Sequence, residues 1–234
     1  MVLAAGLGTR LLPLTLTRPK ALVEVGGKPL IEIVTGKLRR AGFRDIVVNT
    51  HHLAPMLERW LQGRQGFKVS REEPRLLGTG GAVRQAIPLF GRAERVLFHN
   101  VDILSDASLT RFWQAGEGAD ATLLVSQRKT RRYLLLSQDL RLRGWTDSET
   151  GELRTPYPDL QPGQCLRLAF SGIHQMRRAL WQEMADWPES FSVIDFYLQR
   201  CQRFVIKGYI QPDLKLLDAG KHEALQQAER FLSR

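Results

Sequence analysis

Cysteine is scarce. Cys165 and Cys201 are the only two in 234 residues, so no disulfide framework can form and no CxxC pair suggests zinc. A reducing, cytoplasmic setting is the expectation that follows. Long hydrophobic runs are also missing. Nothing reaches the roughly 18–20 consecutive apolar residues of a membrane span. Gly6, Gly8 and Arg10 interrupt the apolar opening that would otherwise resemble a secretion signal. No repeat recurs, and no linker divides the chain. Tryptophan is thin: five residues, too scattered to form a stacking platform for single-stranded nucleic acid.

What is present is an ordinary globular composition, 43% hydrophobic and 25% charged, with a net charge of +10. That sign suits nucleic acid and anionic small molecules equally, so it does not choose between them. Periodicity predicts a buried strand at Met1–Ala4, a helix from Pro29 to Ala41, strands at Ile46–Asn49, Phe67–Ser70, Val96–His99 and Ala121–Val125, and helices between them. This alternation predicts an α/β fold of Rossmann-like type, three layers with a mixed, mainly parallel sheet. After Ser126 a hairpin is expected over Arg132–Leu136 and Leu140–Trp145, then a loop over Thr146–Gly163 and a strand at Leu166–Phe170. A strand at Phe204–Tyr209 and a helix from His222 to Phe231 close the chain. The expectation is one domain over 1–234, with a portion of roughly 126–210 inserted within it.

The strongest motif is Ala4-Ala5-Gly6-Leu7-Gly8-Thr9-Arg10-Leu11-Leu12-Pro13-Leu14-Thr15, followed by Pro19-Lys20. Glycines after the first strand of such a sheet let backbone N–H groups approach phosphate oxygens. Arg10 and Lys20 add a fork and a point charge suited to a triphosphate. The dinucleotide fingerprint fails because Leu11 stands where the third glycine belongs, and the P-loop pattern fails as well. Glu72-Glu73-Pro74, with Gly78-Thr79-Gly80-Gly81 behind it, opens a glycine-rich helix. His99-Asn100-Val101-Asp102 ends a buried strand, and Leu217-Asp218-Ala219-Gly220 precedes the last helix. Read alone, each aspartate is an ordinary turn or helix-start residue.

Together these segments resemble the sugar-1-phosphate nucleotidyltransferases, the NDP-sugar pyrophosphorylases. The resemblance implies that Ala4, Ala5, Gly6, Gly8 and Thr9 wrap the triphosphate, and that Glu73 and Gly78 belong to the segment reading the base. Arg10 and Lys20 would serve catalysis on the phosphates. Asp102 and Asp218 would hold Mg²⁺, although Lys221 stands where that family usually has Thr. Phe170-Ser171-Gly172-Ile173 resembles a segment beside the sugar, which points to Gly172. The implied partners are a nucleoside triphosphate and a sugar 1-phosphate, with no nucleic acid and no membrane.

A Glu-Lys-Pro motif, whose lysine meets the sugar phosphate in many members, is absent between Trp145 and Arg167. Its absence, the Phe170–Ile173 stretch and a chain ending soon after Asp218 resemble the short uridylyltransferases acting on N-acetylmuramate 1-phosphate. The alternatives are a guanylyltransferase using mannose 1-phosphate and a catalytically silent regulator on the same fold. The Arg128–Arg132 cluster reads as a solvated hairpin edge in preference to the alternative, a phosphate contact, and the adjacent His51 and His52 cannot both face one metal.

Overall fold

A computed structural model describes residues 1–232. The first half runs β1 (Val2–Leu3), α1 (Leu14–Thr17), β2 (Glu24–Val25), β3 (Lys28–Pro29), α2 (Leu30–Arg40), β4 (Ile46–Thr50), α3 (Ala54–Leu61) and β5 (Phe67–Arg71). It continues with α4 (Gly78–Ala86), β6 (Arg95–Asn100), β7 (Ile103–Ser105), α5 (Leu109–Gln114) and β8 (Ala121–Ser126). The second half has β9 (Arg132–Leu136), β10 (Leu142–Asp147), β11 (Leu153–Arg154), β12 (Leu166–Arg177), α6 (Arg178–Gln182) and α7 (Val193–Arg200). It ends with β13 (Ile206–Ile210), β14 (Leu216–Asp218) and α8 (His222–Leu232).

Local chemistry explains the elements that carry the architecture. In α2, Leu30, Ile31, Val34 and Leu38 fall on one buried face, while Lys37, Arg39 and Arg40 complement the dipole in the last turn. Burying each of those aliphatic side chains contributes about 1.5–3 kcal/mol, enough to outweigh the ~1 kcal/mol cost of Gly36 in mid-helix. Gly42, at φ +94°, then lets the chain turn away.

The central sheet has the order β5-β4-β1-β6-β12-β8-β13. Neighbours pair in parallel at β1–β4, β1–β6, β4–β5 and β8–β13, and β12 alone runs against its neighbours. The sheet is therefore mixed and mainly parallel, as the βα alternation predicts. Successive residues of one strand enter different cores: Phe98 and Leu123 lie on one face, Leu97 and Leu124 on the other. Helices α4, α6 and α7 cover the first face, and α2, α3, α5 and α8 the second. The result is an α/β/α sandwich. The expected hairpin, β9 with β10, attaches through β9 to the first half of β12, where Leu166–Leu168 pair with Leu136–Leu134.

Two expectations need correction. The strand predicted to stop at Phe170 continues to Arg177. Ser171-Gly172 looks like a terminator, but Gly172 at φ +70° makes a bulge, and the ladder resumes with His174 and Gln175 buried. The segment read as loop from Thr146 to Gly163 holds β11, paired with β10. The three-residue strands β7 and β14 are too short to show a period, so the sequence does not announce them.

Candidate active site

The carboxyl ends of β1, β4 and β6 meet at one edge of the sheet, where open α/β folds bind ligands. The loop after β1 is fixed there by its own side chains. Ala4 N–H donates to Asn49 Oδ1 at 2.6 Å, tying the end of β1 to β4. Gly8 adopts φ +68°, and a Cβ there would lie 2.7 Å from Thr15 Cγ2 and 3.1 Å from Lys20 Cβ. Only glycine fits that turn. Thr15 Oγ1 closes it by donating to the Gly8 carbonyl at 2.9 Å, and His52 Nε2 lies 2.7 Å from the Thr15 carbonyl. A Cβ on Gly6 would meet no protein atom within 4 Å, so its backbone faces open space.

That space is a cleft of about 240 Å³, lined in part by Ala5, Gly6, Lys20, Glu72, Gly78 and Asp102. Of the residues singled out in sequence, Ala5, Gly6, Lys20, Gly78 and Asp102 line it directly. Ala4 and Gly8 shape the loop without lining the cleft, and Thr9 sits in the exposed turn that follows. Gly78 has a packing role too: at φ +68°, its Cβ would lie 2.6 Å from the Phe191 carbonyl.

Glu73, placed by resemblance in the base-reading segment, does not line this cleft. It lies outside the cleft with an exposed side chain, 3.3 Å from Arg71 Nη1. Its neighbour Glu72 is the buried one. Glu72 accepts from Asn49 Nδ2 at 2.6 Å and from Leu77 N–H at 2.7 Å, so it holds β4 to the start of α4. Residue type alone cannot separate adjacent glutamates; the strand phase of β5 could have, because Ser70 and Glu72 share the buried side. Asn49 was missed as well. Its signal was a polar side chain directly after three apolar residues in a fully buried strand.

The two aspartates converge. β14 pairs antiparallel with β7, and Ala219 N–H donates to the Asp102 carbonyl at 2.8 Å. A Cβ on Gly220 would lie 2.7 Å from Asp102 Oδ2, 2.8 Å from Asp218 Oδ1 and 2.8 Å from Lys20 Nζ. Lys20 donates to Asp102, and the Arg10 guanidinium reaches both carboxylates, at 3.8 Å from Asp102 and 3.1 Å from Asp218. Burial works to raise the Asp218 carboxyl, but the Gly220 N–H and Arg10 outweigh it and hold the group below the usual carboxylate range. Among the described residues no cluster of three or more His, Cys, Asp or Glu side chains assembles. Two carboxylates are nevertheless a sufficient protein share for Mg²⁺, which keeps waters and takes substrate phosphate oxygens.

Gly172 packs against the floor of the same cleft. Its Cβ would lie 2.8 Å from Asn100 Nδ2, and Asn100 is a lining residue. His51 and His52 serve as tethers on different partners, His51 Nδ1 lying 2.8 Å from the Glu72 carbonyl. Among the described residues no helix is long and apolar enough to cross a membrane.

Comparison with known proteins bears on the same edge of the sheet. The N-acetylmuramate alpha-1-phosphate uridylyltransferase of Caulobacter vibrioides is 32% identical over an alignment covering 100% of this chain and 96% of that protein. The mannose-1-phosphate guanylyltransferase catalytic subunit beta of Danio rerio is 33% identical over 54% of this chain and 37% of its own length. The UDP-glucose pyrophosphorylase of Acinetobacter baumanii shares the fold with a TM-score of 0.79, at 19% identity, over 97% of this chain and 90% of that one. Residues 1–133, which span the glycine loop, the Glu72–Gly81 segment and Asp102, match the Nucleotidyl transferase family. With that match and a relative aligned end to end, the chain belongs to the nucleotidyl transferase family.

Proposed function

We propose that this protein transfers a nucleotidyl group from a nucleoside triphosphate to a sugar 1-phosphate, and that its substrates are UTP and N-acetylmuramate 1-phosphate. A sugar-phosphate oxygen attacks the α-phosphorus, forming a new P–O bond. The bond from that phosphorus to the bridging oxygen breaks, and pyrophosphate leaves with the electron pair. The nucleophile is already an anion, so no side chain has to donate or remove a proton. The work of the protein is to hold two mutually repelling anions in line and to offset charge as it develops. Gly6 offers backbone to the phosphates on the open side of the cleft. Arg10 stabilises the departing pyrophosphate, and Lys20 compensates phosphate charge.

Asp102 and Asp218 are the residues that would hold Mg²⁺, and the convergence of their oxygens beside Gly220 supports this. Bound there, the ion would supply Lewis-acid stabilisation to phosphate oxygens. Lys20 and Arg10 face the same two carboxylates. A cytoplasmic setting belongs to the same reading, and both cysteines are free thiols.

The observation that carries the substrate choice is the reach of the alignment. The uridylyltransferase relative matches from end to end, whereas the guanylyltransferase relative matches only about half of this chain. Pyrophosphate release should be measured with UTP and GTP, each against N-acetylmuramate, N-acetylglucosamine and mannose 1-phosphates. A pocket that hydrogen-bonds one base rejects another strongly, since each unmatched buried polar group costs about 1–3 kcal/mol. Fastest turnover with UTP and N-acetylmuramate 1-phosphate is expected. Faster turnover of GTP with mannose 1-phosphate would remove the uridylyl assignment and leave the reaction class standing.

A further inference from the structure

The basic run Arg128-Lys129-Thr130-Arg131-Arg132 looks uniform in sequence, and the structure divides it. Arg131 is tied to Asp147 at 2.6 Å and Glu149 at 3.0 Å, and Arg132 lies 3.9 Å from Asp147. These two are the solvated hairpin edge the sequence suggests. Arg128 is different: among the described residues, no carboxylate lies within the 4.0 Å of an ion pair. Its Nη2 instead donates to the Phe170 carbonyl at 2.9 Å. Burial works against its charge, while Asp218, the carboxylate already placed in the cleft, and Tyr133 act in its favour.

Its position follows from the sheet. β12 is antiparallel to both β6 and β8, so β6 and β8 end at the same edge. Arg128 lies two residues beyond the end of β8. Its anchor, Phe170, lies two residues before Gly172, which packs on Asn100 at the end of β6. Arg128 therefore stands on the β8–β12 side of the cleft, and the glycine loop with Arg10 and Lys20 comes from the end of β1.

Charge balance gives this position a use. Two anionic substrates must share the cleft, yet both loop cations already face Asp102 and Asp218. A guanidinium held by one carbonyl, exposed toward solvent and without a carboxylate partner, is stabilised most by an anion that accepts its remaining N–H groups. A phosphate monoester matches that fork geometry.

We propose that Arg128 is the cation that receives the phosphate of the sugar 1-phosphate substrate, on the wall formed by the end of β8 and the β12 bulge. The proposal rests on the reading of the chain as a sugar-1-phosphate nucleotidyltransferase. Arg128 binds the acceptor while Lys20 and Arg10 serve the triphosphate, so the two substrates are held by different walls.

Steady-state kinetics of the full chain, with each substrate varied in turn, test this on Arg128→Gln, Arg128→Lys and the neighbouring control Lys129→Gln. Arg128→Gln should raise the KM for the sugar 1-phosphate at least tenfold while the KM for the triphosphate stays within about twofold. Arg128→Lys should recover part of the loss, Lys129→Gln should match the wild type, and the melting temperature should not move. An unchanged KM for the sugar phosphate, or equal rises in both KM values, overturns the assignment. Absence of wild-type turnover with every substrate pair would count against the function reading alone. Calorimetric titration of N-acetylglucosamine 1-phosphate into wild type and Arg128→Gln still decides the contact: weaker binding to the variant supports it, and equal binding overturns it.

Discussion

Asp218 stands beside Asp102 because a three-residue ladder puts it there: Asp218 pairs with Ile103, the residue that follows Asp102. Gly220 completes the arrangement, since any side chain at that position would enter the space the two carboxylates share with Lys20. A short strand pair and one glycine thus bring together two residues drawn from opposite halves of the chain.

Asp102→Asn and Asp218→Asn should each cut turnover by about 10²–10⁴-fold. Metal-ion charge stabilisation is worth several kcal/mol, and each 1.36 kcal/mol is a factor of ten in rate. Folding should persist, because neither side chain belongs to the hydrophobic cores. Gly220→Ala should lower turnover as well, by displacing both carboxylates and Lys20 while leaving every charge in place. Pyrophosphate release as a function of Mg²⁺ concentration, with circular dichroism on each variant, checks all three. Near-normal Mg²⁺-dependent rates in either asparagine variant would remove the metal role.

Arg10 and Lys20 should separate kinetically. Arg10→Ala should lower kcat more than it raises the KM for the triphosphate, because the charge on the leaving pyrophosphate is largest late in the reaction. Lys20 is more buried and touches Asp102 in the cleft, so Lys20→Ala should impair both parameters. If Arg10→Ala changed only KM, the arginine would be a ground-state binding group.

Glu72 and Glu73 give a sharper contrast than two adjacent, identical residues normally allow. Glu72→Gln leaves an amide NH₂ facing either the Asn49 amide or the Leu77 N–H, both of which donate to the carboxylate. One buried donor then loses its acceptor, at about 1–3 kcal/mol, and the KM for the triphosphate should rise. Glu73→Gln removes only an exposed pair with Arg71 and should stay within ~0.5 kcal/mol of wild type. Urea denaturation and KM measured side by side decide it; equal effects at the two positions would return Glu73 to the site.

These contrasts mark where the sequence can be read and where it cannot. The parallel half of the fold was legible because β4, β6 and β8 are buried strands rich in apolar residues and α2 keeps one apolar face, and those periods survive in any context. The glycine loop was legible because Gly8 has a conformational requirement that a residue type reports directly. The extent of β12 was hidden, since Ser171-Gly172 looks alike as a strand end and as a bulge. Arg128 was hidden for another reason: its neighbours Arg131 and Arg132 carry the same charge, and only the placement of Asp147, Glu149 and Phe170 separates them.

His174 should make the protein acid-sensitive in a defined window. The imidazole is buried, stacked on Phe98 with ring centroids 4.7 Å apart, and its Nδ1 lies 2.7 Å from the Tyr197 hydroxyl. Burial drives its pKa from 6.5 down to about 3. Above pH 6.5 neither the folded nor the unfolded chain holds the proton, so the contribution is complete. As pH falls from 6.5 toward 3, the unfolded chain takes up a proton that the folded chain refuses, and stability is lost at up to ~1.4 kcal/mol per pH unit for this one site. His99, also buried and driven to about 3, adds a loss of the same sign. His174→Gln keeps a polar partner for Tyr197 and removes one titrating group, so its stability should fall less steeply than that of the wild type between pH 6.5 and 4.5. Urea unfolding at intervals across that range measures both slopes; equal slopes would mean that His174 takes up its proton in the folded state.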